Sequence, residues 1–359
     1  MKAIINVGLV GYGFASKTFH APLIQATAGL DLVAVSSSDA AKVKADLPNV
    51  EIESQALALC KRPDLDLIVI PTPNDTHFPL AKAALAAGKH VVVDKPFTVT
   101  LSEAKQLKAL ALDKERMISV FHNRRWDSDF LTIQALLKKG TLGRMTGFES
   151  RFDRFRPEVR DRWREKATPG GGIWYDLGPH LLDQACELFG TPNAILLELG
   201  VRRDGAKADD DFLALLEYEG FRVSLSAGTL VAEPTPRYRI HGTKGSYIKY
   251  GLDPQEDRLK AGETPSSAWG EDSPGTLTLR EGEGEDAPLV RHDHPTLPGD
   301  YLAYYQGVSA AIRDKAPLPV DIDDALRCMA LLEAGLDSHR QRRWIPLKHH
   351  LEQLSSGTL

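Results

Sequence analysis

The sequence IINVGLVGYGFAS, residues 4–16, decides the fold of the first part of the chain. Its apolar, β-branched run from Ile4 to Val10 is typical of a buried strand. The run leads into Gly-x-Gly-x-x-small, in which Gly11 allows a tight turn and Gly13 lets the backbone approach a pyrophosphate, while Ser16 is small enough for the next helix to pack closely. We therefore predict a dinucleotide-binding turn, followed by a helix whose free N–H groups face the phosphates.

The same alternation of strand and helix continues over the first third of the chain. Apolar strands are predicted at residues 30–35, 66–70, 90–93 and 117–121, with helices between them. Strands that alternate with helices predict a parallel sheet with right-handed crossovers. Residues 1–121 are therefore predicted to form a Rossmann domain.

A different pattern follows in residues 122–346, which we predict to form a second domain, with 347–359 as a tail. Strand-like segments follow one another with few helices, which indicates a largely antiparallel sheet. They lie at residues 146–152, 194–201, 212–218, 222–228, 237–241 and 246–250. The Gly-, Pro- and acid-rich segment 253–298 is predicted to be a long surface excursion that serves as a lid or an oligomer contact.

Composition excludes several classes of protein. A chain of 359 residues favours two domains, and its net charge of -5 gives no reason to expect nucleic acid or an anionic membrane as a partner. The three cysteines lie far apart, which suits a reducing compartment. No apolar segment approaches the ~20 residues that span a bilayer. We predict a cytoplasmic protein without a metal site, since the run from Arg291 to His294 has no further ligands nearby.

The residues at the end of the second strand indicate whether the cofactor is NAD or NADP. NAD-binding folds place an acid here, but this strand ends in Ser36, Ser37 and Ser38, and Asp31 lies at the wrong end of it. Hydroxyl groups tolerate and bind a 2′-phosphate, for which Lys42 or Lys44 is a candidate counter-charge, whereas an acid would repel it. This favours NADP over NAD. The alternative is a Ser-rich turn without a role.

The stretch HVVVDKPF, residues 90–97, combines a buried strand with an abrupt polar end. In an open α/β sheet, residues just beyond a strand's carboxyl end face the ligand crevice. A lysine at that place, Lys95, can exchange protons with a ligand near neutral pH. The alternative is an ordinary surface lysine in a turn.

Two polar motifs follow. HNRRWD, residues 122–127, offers planar donors for a carbohydrate or phosphate pocket, or forms a salt-bridged interdomain hinge. After the glycines at 170–172, a helix is predicted to end at Gly190, and Asp176 and His180 share one side of it if helical geometry already holds there. A carboxylate beside an imidazole fixes its tautomer and raises its basicity. The alternative is a capping Asp and a surface His, with Pro179 near the helix start.

Taken together and in this order, these motifs resemble the glucose–fructose oxidoreductase / inositol dehydrogenase (Gfo/Idh/MocA) family. The resemblance covers residues 4 to about 346, nearly the whole chain. Its markers are GYGFAS with His20-Ala21-Pro22, Thr72-Pro73 with His77, Asp94-Lys95-Pro96, and Asp176 with His180 and Asp183. Within the family, HNRRWD and the segment 156–164 look like the NADP-dependent scyllo-inositol dehydrogenase branch.

The resemblance implies an α/β fold: an N-terminal Rossmann parallel sheet plus a C-terminal α/β domain with a large, mainly antiparallel open sheet that commonly forms a dimer interface. It makes Lys95 the catalytic lysine, and Asp176 and His180 the substrate-side acid and histidine. The predicted cofactor-binding residues are Gly11, Tyr12, Gly13, Phe14, Ala15, Ser36, Ser37, Thr72, Pro73, Asn74, His77, Asp94 and Lys95. Asn123, Arg124 and Trp163 are expected to contact substrate hydroxyls. The family usually has Glu where this chain has Asp94.

The function implied is NADP-dependent interconversion of a secondary alcohol and a ketone on a cyclic polyol or sugar, by a homodimer or a dimer of dimers. Two alternatives stay open. One is a hydrolase in which bound nicotinamide oxidises a sugar only transiently, as in some relatives. The other is a cofactor-binding sensor without catalysis, against which Lys95, Asp176 and His180 argue.

Overall fold

The computed structural model describes residues 4–266, 269–270, 273–282, 284 and 286–348. The chain divides into two compact units. The first comprises residues 1–123, 255–267 and 300–329, and the second comprises residues 124–254, 268–299 and 330–359. Both units are therefore discontinuous in sequence, whereas the sequence pattern predicts two consecutive domains.

The strands of the described residues are numbered in chain order. They are β1 (Ile5–Val10), β2 (Leu30–Ser36), β3 (Glu51–Glu53), β4 (Leu67–Ile70), β5 (His90–Val93), β6 (Ile118–Val120), β7 (Met145–Arg151), β8 (Ala194–Gly200), β9 (Asp211–Tyr218), β10 (Phe221–Gly228), β11 (Tyr238–Gly242), β12 (Gly245–Lys249), β13 (Gly275–Arg280), β14 (Leu289–His294) and β15 (Ile345–Pro346).

The α-helices are numbered in the same way. They are α1 (Ala21–Ala26), α2 (Ala40–Asp46), α3 (Ala56–Leu59), α4 (Asn74–Ala86), α5 (Leu101–Asp113), α6 (Ser128–Lys138), α7 (Gly172–Phe189), α8 (Gln255–Lys260), α9 (Leu302–Asp314) and α10 (Ile322–Gln341). A π-helical turn, Ser16–His20, leads into α1, and 3-10 turns lie at Asn123–Trp126 and Trp163–Glu165.

The first unit contains a six-stranded sheet in the order β3-β2-β1-β4-β5-β6. Every neighbouring pair of strands in it is parallel. The side chains of β4 are fully buried, as expected of a central strand covered by helices on both faces. This confirms the predicted Rossmann-type sheet. Because the strands are parallel, the ends of β1, β2, β4 and β5 lie along one edge.

Tyrosines of α9 pack against the last strand of this sheet. The hydroxyl of Tyr304 donates to Ser119 Oγ at 3.1 Å, and Ser119 donates in turn to the carbonyl of Val320 at 2.9 Å. Phe121 contacts the ring of Tyr304 edge-on, at 4.9 Å between centroids. The sequence-distant segment 300–329 is therefore part of the first unit's core.

The second unit contains a nine-stranded sheet in the order β14-β13-β12-β11-β7-β10-β9-β8-β15. Its neighbours pair antiparallel except β7 and β10, which are parallel. In β9, Phe212, Ala214 and Leu216 are buried while the residues between them are more exposed, so one face of the strand packs on the core. The predicted large, mainly antiparallel open sheet is thus confirmed.

The segment 253–298 contains more regular structure than the sequence indicates. It supplies α8 to the first unit, and β13 and β14 extend the nine-stranded sheet at one edge. Leu277 of β13 is buried, whereas β14 is largely exposed. An edge strand needs only one paired side, so its composition does not have to be apolar.

Helix α7 carries the hydrophobic anchor of the second unit. Trp174 is fully buried, meets Phe212 edge-on at 5.0 Å between centroids, and donates from its indole N–H to the carbonyl of Leu332. The helix begins at Gly172, so Pro179 lies in its interior and not near its start. Asp176 and His180 are therefore one helical turn apart on a continuous helix.

A buried carboxyl group lies at the start of α6. Asp129 is fully buried, and neither of its carboxylate oxygens has a hydrogen-bond partner among the described residues. Burial raises the pKa of this carboxyl to about 6, with Arg237 opposing the rise and Asp253 adding to it. The protonated form of this carboxyl is therefore favoured more strongly in the folded protein than in the unfolded chain. As a result, the free energy of unfolding decreases as the pH rises from the ordinary carboxyl range through about 6.

Replacing this carboxyl by a neutral group of the same shape tests how much the charged form of Asp129 destabilises the fold. We expect Asp129→Asn to raise Tm by about 2–5 °C at about pH 8, where the wild-type group is charged. The gain should vanish at about pH 4, where the wild-type carboxyl is itself protonated. Calorimetric scans at both pH values measure it, with Asp204→Asn at an exposed position as the control. An equal gain at both pH values would contradict the assignment.

Candidate active site

The glycine-rich turn after β1 has the geometry that a pyrophosphate requires. Gly11 has a φ of +81°, a conformation that L side chains rarely adopt. A Cβ added to Gly13 would meet no atom within 4 Å, so the backbone is open there. Ser16 is fully buried and donates its hydroxyl proton to the carbonyl of Gly11 at 2.8 Å. This hydrogen bond stabilises the turn. These residues fit a dinucleotide pyrophosphate.

The other predicted residues of this turn differ in exposure. Phe14 is 54% exposed and Ala15 is half-buried, so both are accessible to a ligand. Tyr12 is buried instead, and its hydroxyl donates to Asp46 Oδ2 at 3.2 Å at the end of α2. Burial and the Asp46 carboxylate raise the pKa of this phenol. Tyr12 therefore anchors the turn to its own domain.

The serines at the end of β2 have separate roles. Ser36 is buried, and its hydroxyl oxygen accepts from the N–H of Gly11 at 3.2 Å, so it ties β2 to the turn. Ser37 is half-buried and closes a local turn with Asp39. Lys44 donates to the carbonyls of Pro48 and Val50. Lys42 lies on the same helix and is also exposed.

The ends of β4 and β5 bring four further predicted residues together. His77 is fully buried, and its two ring nitrogens lie against the carbonyl oxygens of Thr72 and Pro96. Asn74 is buried and Pro73 exposed, at the start of α4. The Lys95–Pro96 peptide bond is cis. The loops after β4 and β5 are thus joined through one imidazole.

Asp94 lies among protonatable groups. Its Oδ1 accepts from the N–H of Lys95 at 2.7 Å, and its Oδ2 lies 3.9 Å from His20 Nε2. Burial raises the pKa of this carboxyl, but His20, Lys95 and His77 outweigh burial and lower it to about 2. Asp94 is therefore ionised at neutral pH.

A hydrogen bond links His20, the imidazole that lies 3.9 Å from this carboxylate, to α9. His20 is fully buried, and its Nδ1 lies 2.6 Å from the hydroxyl of Tyr305, which is also buried. Sequence reasoning assigned no role to either residue. His20 was visible as part of a family marker, whereas nothing in the local pattern around Tyr305 indicates a contact with a residue 285 positions away.

In the second unit, Asp209 defines the start of α7. Its carboxylate accepts from the N–H of Trp174 at 2.7 Å, and a Cβ on Gly172 would lie 1.9 Å from the same carboxylate. Glycine is therefore required at that position. Asp176 follows in the next turn and pairs with Arg164, with 3.5 Å between Oδ1 and Nε.

Buried ion pairs hold the segment that precedes α7. Glu165 pairs with Arg162 at 2.6 Å and with Arg203 at 3.1 Å, and Arg203 also pairs with Asp210 at 2.9 Å. Burial raises the pKa of Glu165, but the N–H of Arg160 and the two guanidinium groups lower it overall. These pairs fix the position of the segment that carries Trp163 and Arg164.

A small polar cavity lies beside Asp176. It has a volume of about 40 Å³. The guanidinium of Arg164 lies 4.8 Å from the ring of Trp163, which is half-buried. The charged side chains around the cavity are those of Arg154, Arg156, Arg162, Arg164, Arg203, Glu165, Asp176, Asp209 and Asp210. Planar donors and carboxylates of this kind suit hydroxyl-rich ligands.

The remaining predicted residues are buried. Asn123 is 4% exposed and Arg124 is 6% exposed. Arg124 pairs with Asp127 at 3.5 Å, and its guanidinium lies 4.9 Å from the ring of Phe152. His180 is 6% exposed, so it is not the surface histidine of the alternative interpretation. Lys95 and Asp94 belong to the first unit, and Asp176, His180, Arg124 and Trp163 belong to the second.

Two negative findings apply to the described part of the chain. No group of three or more His, Cys, Asp and Glu side chains in it could hold a metal ion. Among the same residues, no helix combines the length and the apolar character needed to cross a membrane.

Family models match both parts of the chain. The model GFO_IDH_MocA, "Oxidoreductase family, NAD-binding Rossmann fold", matches residues 5–122. The model GFO_IDH_MocA_C, "Oxidoreductase family, C-terminal alpha/beta domain", matches residues 134–347.

Similar proteins and structures agree with these matches. The uncharacterized oxidoreductase YdgJ of Escherichia coli is 56% identical over 95% of this chain and 98% of its own length. The scyllo-inositol 2-dehydrogenase (NADP(+)) IolW of Bacillus subtilis is 38% identical, over 96% of each chain. The solved structure of YPO2259 from Yersinia pestis has a TM-score of 0.90 and 57% identity, and covers 96% of this chain and 98% of its own.

The ion pairs of Glu165 lead to a prediction for the segment before α7. We expect Glu165→Gln to speed tryptic cleavage at the arginines of residues 154–164 about tenfold, which corresponds to about 1.4 kcal/mol of lost local stability. Limited proteolysis followed by mass spectrometry measures this. The control is Glu198→Gln, which removes an exposed pair with Arg202 and should change nothing. Equal cleavage rates in both variants would show that the pairs do not restrain the segment.

Proposed function

Because the chain belongs to the Gfo/Idh/MocA oxidoreductase family, we propose that it interconverts a secondary alcohol and a ketone on a cyclic polyol or sugar, with NADP as its cofactor. The observation that carries this proposal is the position of Lys95. It follows a central strand of a dinucleotide-binding sheet, at the edge where the glycine-rich turn also lies. Open α/β sheets bind ligands at that edge.

Each predicted site residue has a role in the proposed reaction. When bound, NADP(H) accepts or supplies the hydride. Lys95 polarises the substrate oxygen and relays its proton, and His180 acts as the base, with Asp176 as its acidic neighbour. Asn123, Arg124 and Trp163 contact substrate hydroxyls. The name of the relative IolW, a scyllo-inositol 2-dehydrogenase, supports a cyclic polyol as the substrate class.

The preference for NADP rests on the end of β2. No carboxylate stands at Ser36, Ser37 or Ser38, where an acid would repel a 2′-phosphate. The exposed Lys42 supplies a counter-charge. IolW is named as an NADP(+) enzyme, which agrees with this reading. We also propose a cytoplasmic homodimer or dimer of dimers, in which the three buried free cysteines stay reduced.

Removing the lysine tests the catalytic assignment. Lys95→Ala should lower kcat by ~10²–10⁴-fold, as expected for a lost acid–base group, while NADPH still binds. Kinetics with a panel of polyols at 340 nm measure turnover, and NADPH fluorescence measures binding. Lys82→Ala, at an exposed position of α4, is the matched control. Normal turnover in Lys95→Ala would refute the role.

The same panel separates the alternatives. Net reduction of NADP by a polyol supports the dehydrogenase. Release of a leaving group from a glycoside, without a change in NADPH absorbance, would identify the hydrolase. Binding of NADPH without either reaction would identify the sensor.

The two lysines after β2 provide a test of the cofactor. Lys42→Gln should raise the KM for NADP about tenfold and leave the KM for NAD unchanged, because NAD has no 2′-phosphate for the lysine to pair with. Lys44→Gln is the control, because Lys44 is bonded to backbone carbonyls. A wild-type protein that reduces NAD but not NADP would overturn the proposal.

A further inference from the structure

A cleft lies at the amino end of the parallel sheet, on the edge opposite the glycine-rich turn. Its volume is about 570 Å³, and all the residues that line it belong to the first unit. They lie at the starts of β1 and β5, just before β4 and β6, and in the last turn of α9. None of the predicted cofactor- and substrate-binding residues is among its described lining residues. The cleft is therefore separate from the site described above.

The cleft has an excess of positive charge. Lys89, Arg116 and Arg313 line it, and none of the three pairs with a carboxylate within the part of the chain that the structure describes. Asp66 is the one acidic side chain among the described lining residues, and its Oδ2 accepts from the N–H of Asn6 at 2.8 Å. Three positive charges and one negative charge leave an excess of two, which favours an anionic ligand.

Backbone carbonyls hold two of the basic side chains in place. Lys89 is 8% exposed, and its Nζ donates to the carbonyl of Leu65 at 2.7 Å. The Nε of Arg116 donates to the carbonyl of Gly88 at 2.6 Å. An ammonium carries three N–H groups and a guanidinium carries five, so these hydrogen bonds use only part of the available donors. Both side chains are thus fixed in position and retain donors for a ligand.

A glycine makes room for the third basic side chain. Gly29, just before β2, has a φ of +87°, and a Cβ there would lie 2.2 Å from Nη1 of Arg313. The guanidinium is therefore packed against bare backbone, and a larger residue at position 29 would displace it. Its Nε donates to the carbonyl of Ser309, one helical turn earlier in α9, at 3.4 Å. Arg313 is thus held at the cleft from two sides.

His90 adds a neutral donor to this set. Its Nδ1 accepts from the N–H of Met117 at 3.0 Å, so the proton of the neutral imidazole lies on Nε2. Burial and the charge of Arg116 lower the pKa of this imidazole to about 4, although Asp66 opposes the change. The ring is therefore neutral near pH 7, and four side chains that line the cleft carry N–H donors.

We propose that this cleft binds a phosphate monoester, whose phosphate group is held by Lys89, Arg116 and Arg313. A phosphate monoester carries about −1.5 to −2 charge near pH 7, which matches the excess positive charge of the cleft. Charge-assisted hydrogen bonds to phosphate are strong, and guanidinium groups match its geometry. The exposed side chain of Ile4 and the half-buried Ile312 offer apolar contact to the organic part of the ligand. Binding here does not depend on the reaction proposed for the other edge of the sheet.

Calorimetric titration of the holoprotein with phenyl phosphate tests the proposal. Saturating NADPH occupies the glycine-rich turn, so that the probe does not bind there. We expect a Kd of about 0.1–1 mM for the wild type, and a rise of about tenfold or more in Arg116→Gln and in Arg313→Gln. Lys114→Gln is the matched control, because it removes the same charge two residues from Arg116, at an exposed position outside the cleft. Its Kd should equal that of the wild type.

A titration with inorganic phosphate separates the two parts of the proposed ligand. We expect it to bind about tenfold more weakly than phenyl phosphate, because it buries no apolar surface. Equal affinities would overturn the assignment of an organic ligand. Absence of binding by the wild type, or an unchanged Kd in folded Arg116→Gln and Arg313→Gln, would overturn the site itself. Thermal scans without ligand verify folding, and if Arg313→Gln is unfolded, Arg116→Gln at its exposed position decides alone.

Discussion

The charge of one half-buried carboxylate, that of Asp94, determines how the first unit's site is built. An ionised carboxylate away from water is costly unless positive or hydrogen-bonding groups surround it. Here the N–H of Lys95 donates to it, and His20 lies within 3.9 Å. The pKa of the carboxyl stays at about 2 despite burial. The groups around Lys95 therefore stabilise a permanent negative charge, that of Asp94, next to the lysine.

This arrangement gives a physical explanation for an aspartate at a position where the family resemblance predicts a glutamate. The shorter side chain keeps the carboxylate close to its own backbone, where it accepts from the N–H of Lys95. His20 approaches it from the other side and is itself held at 2.6 Å by the hydroxyl of Tyr305. The charge is thus preserved, and the imidazole beside it is held in place by Tyr305 of α9.

The sequence correctly predicted those helices and strands whose local hydrophobic pattern matches their burial in the structure. The apolar run of β1 with its glycine turn, and the end of α7 at Gly190, are of this kind. β3 was missed because Glu51–Glu53 is short and acidic, and it pairs on one side only. β14 was missed because its side chains are largely exposed. The contact of His20 with Tyr305 spans 285 residues, and no local pattern encodes such a contact.

In the proposed reaction, catalysis and substrate selection depend on different kinds of structure. Lys95 lies just beyond a strand whose three valines are fully buried, so changes around it disturb the core of the sheet. Trp163 and Arg164 lie on a largely irregular segment that is fixed by the ion pairs of Glu165 and Arg203. The side chains of such a segment can differ between related proteins while the ion pairs keep the backbone in the same position. A protein family with this fold can therefore preserve a reaction through the sheet and vary its substrate through such a segment.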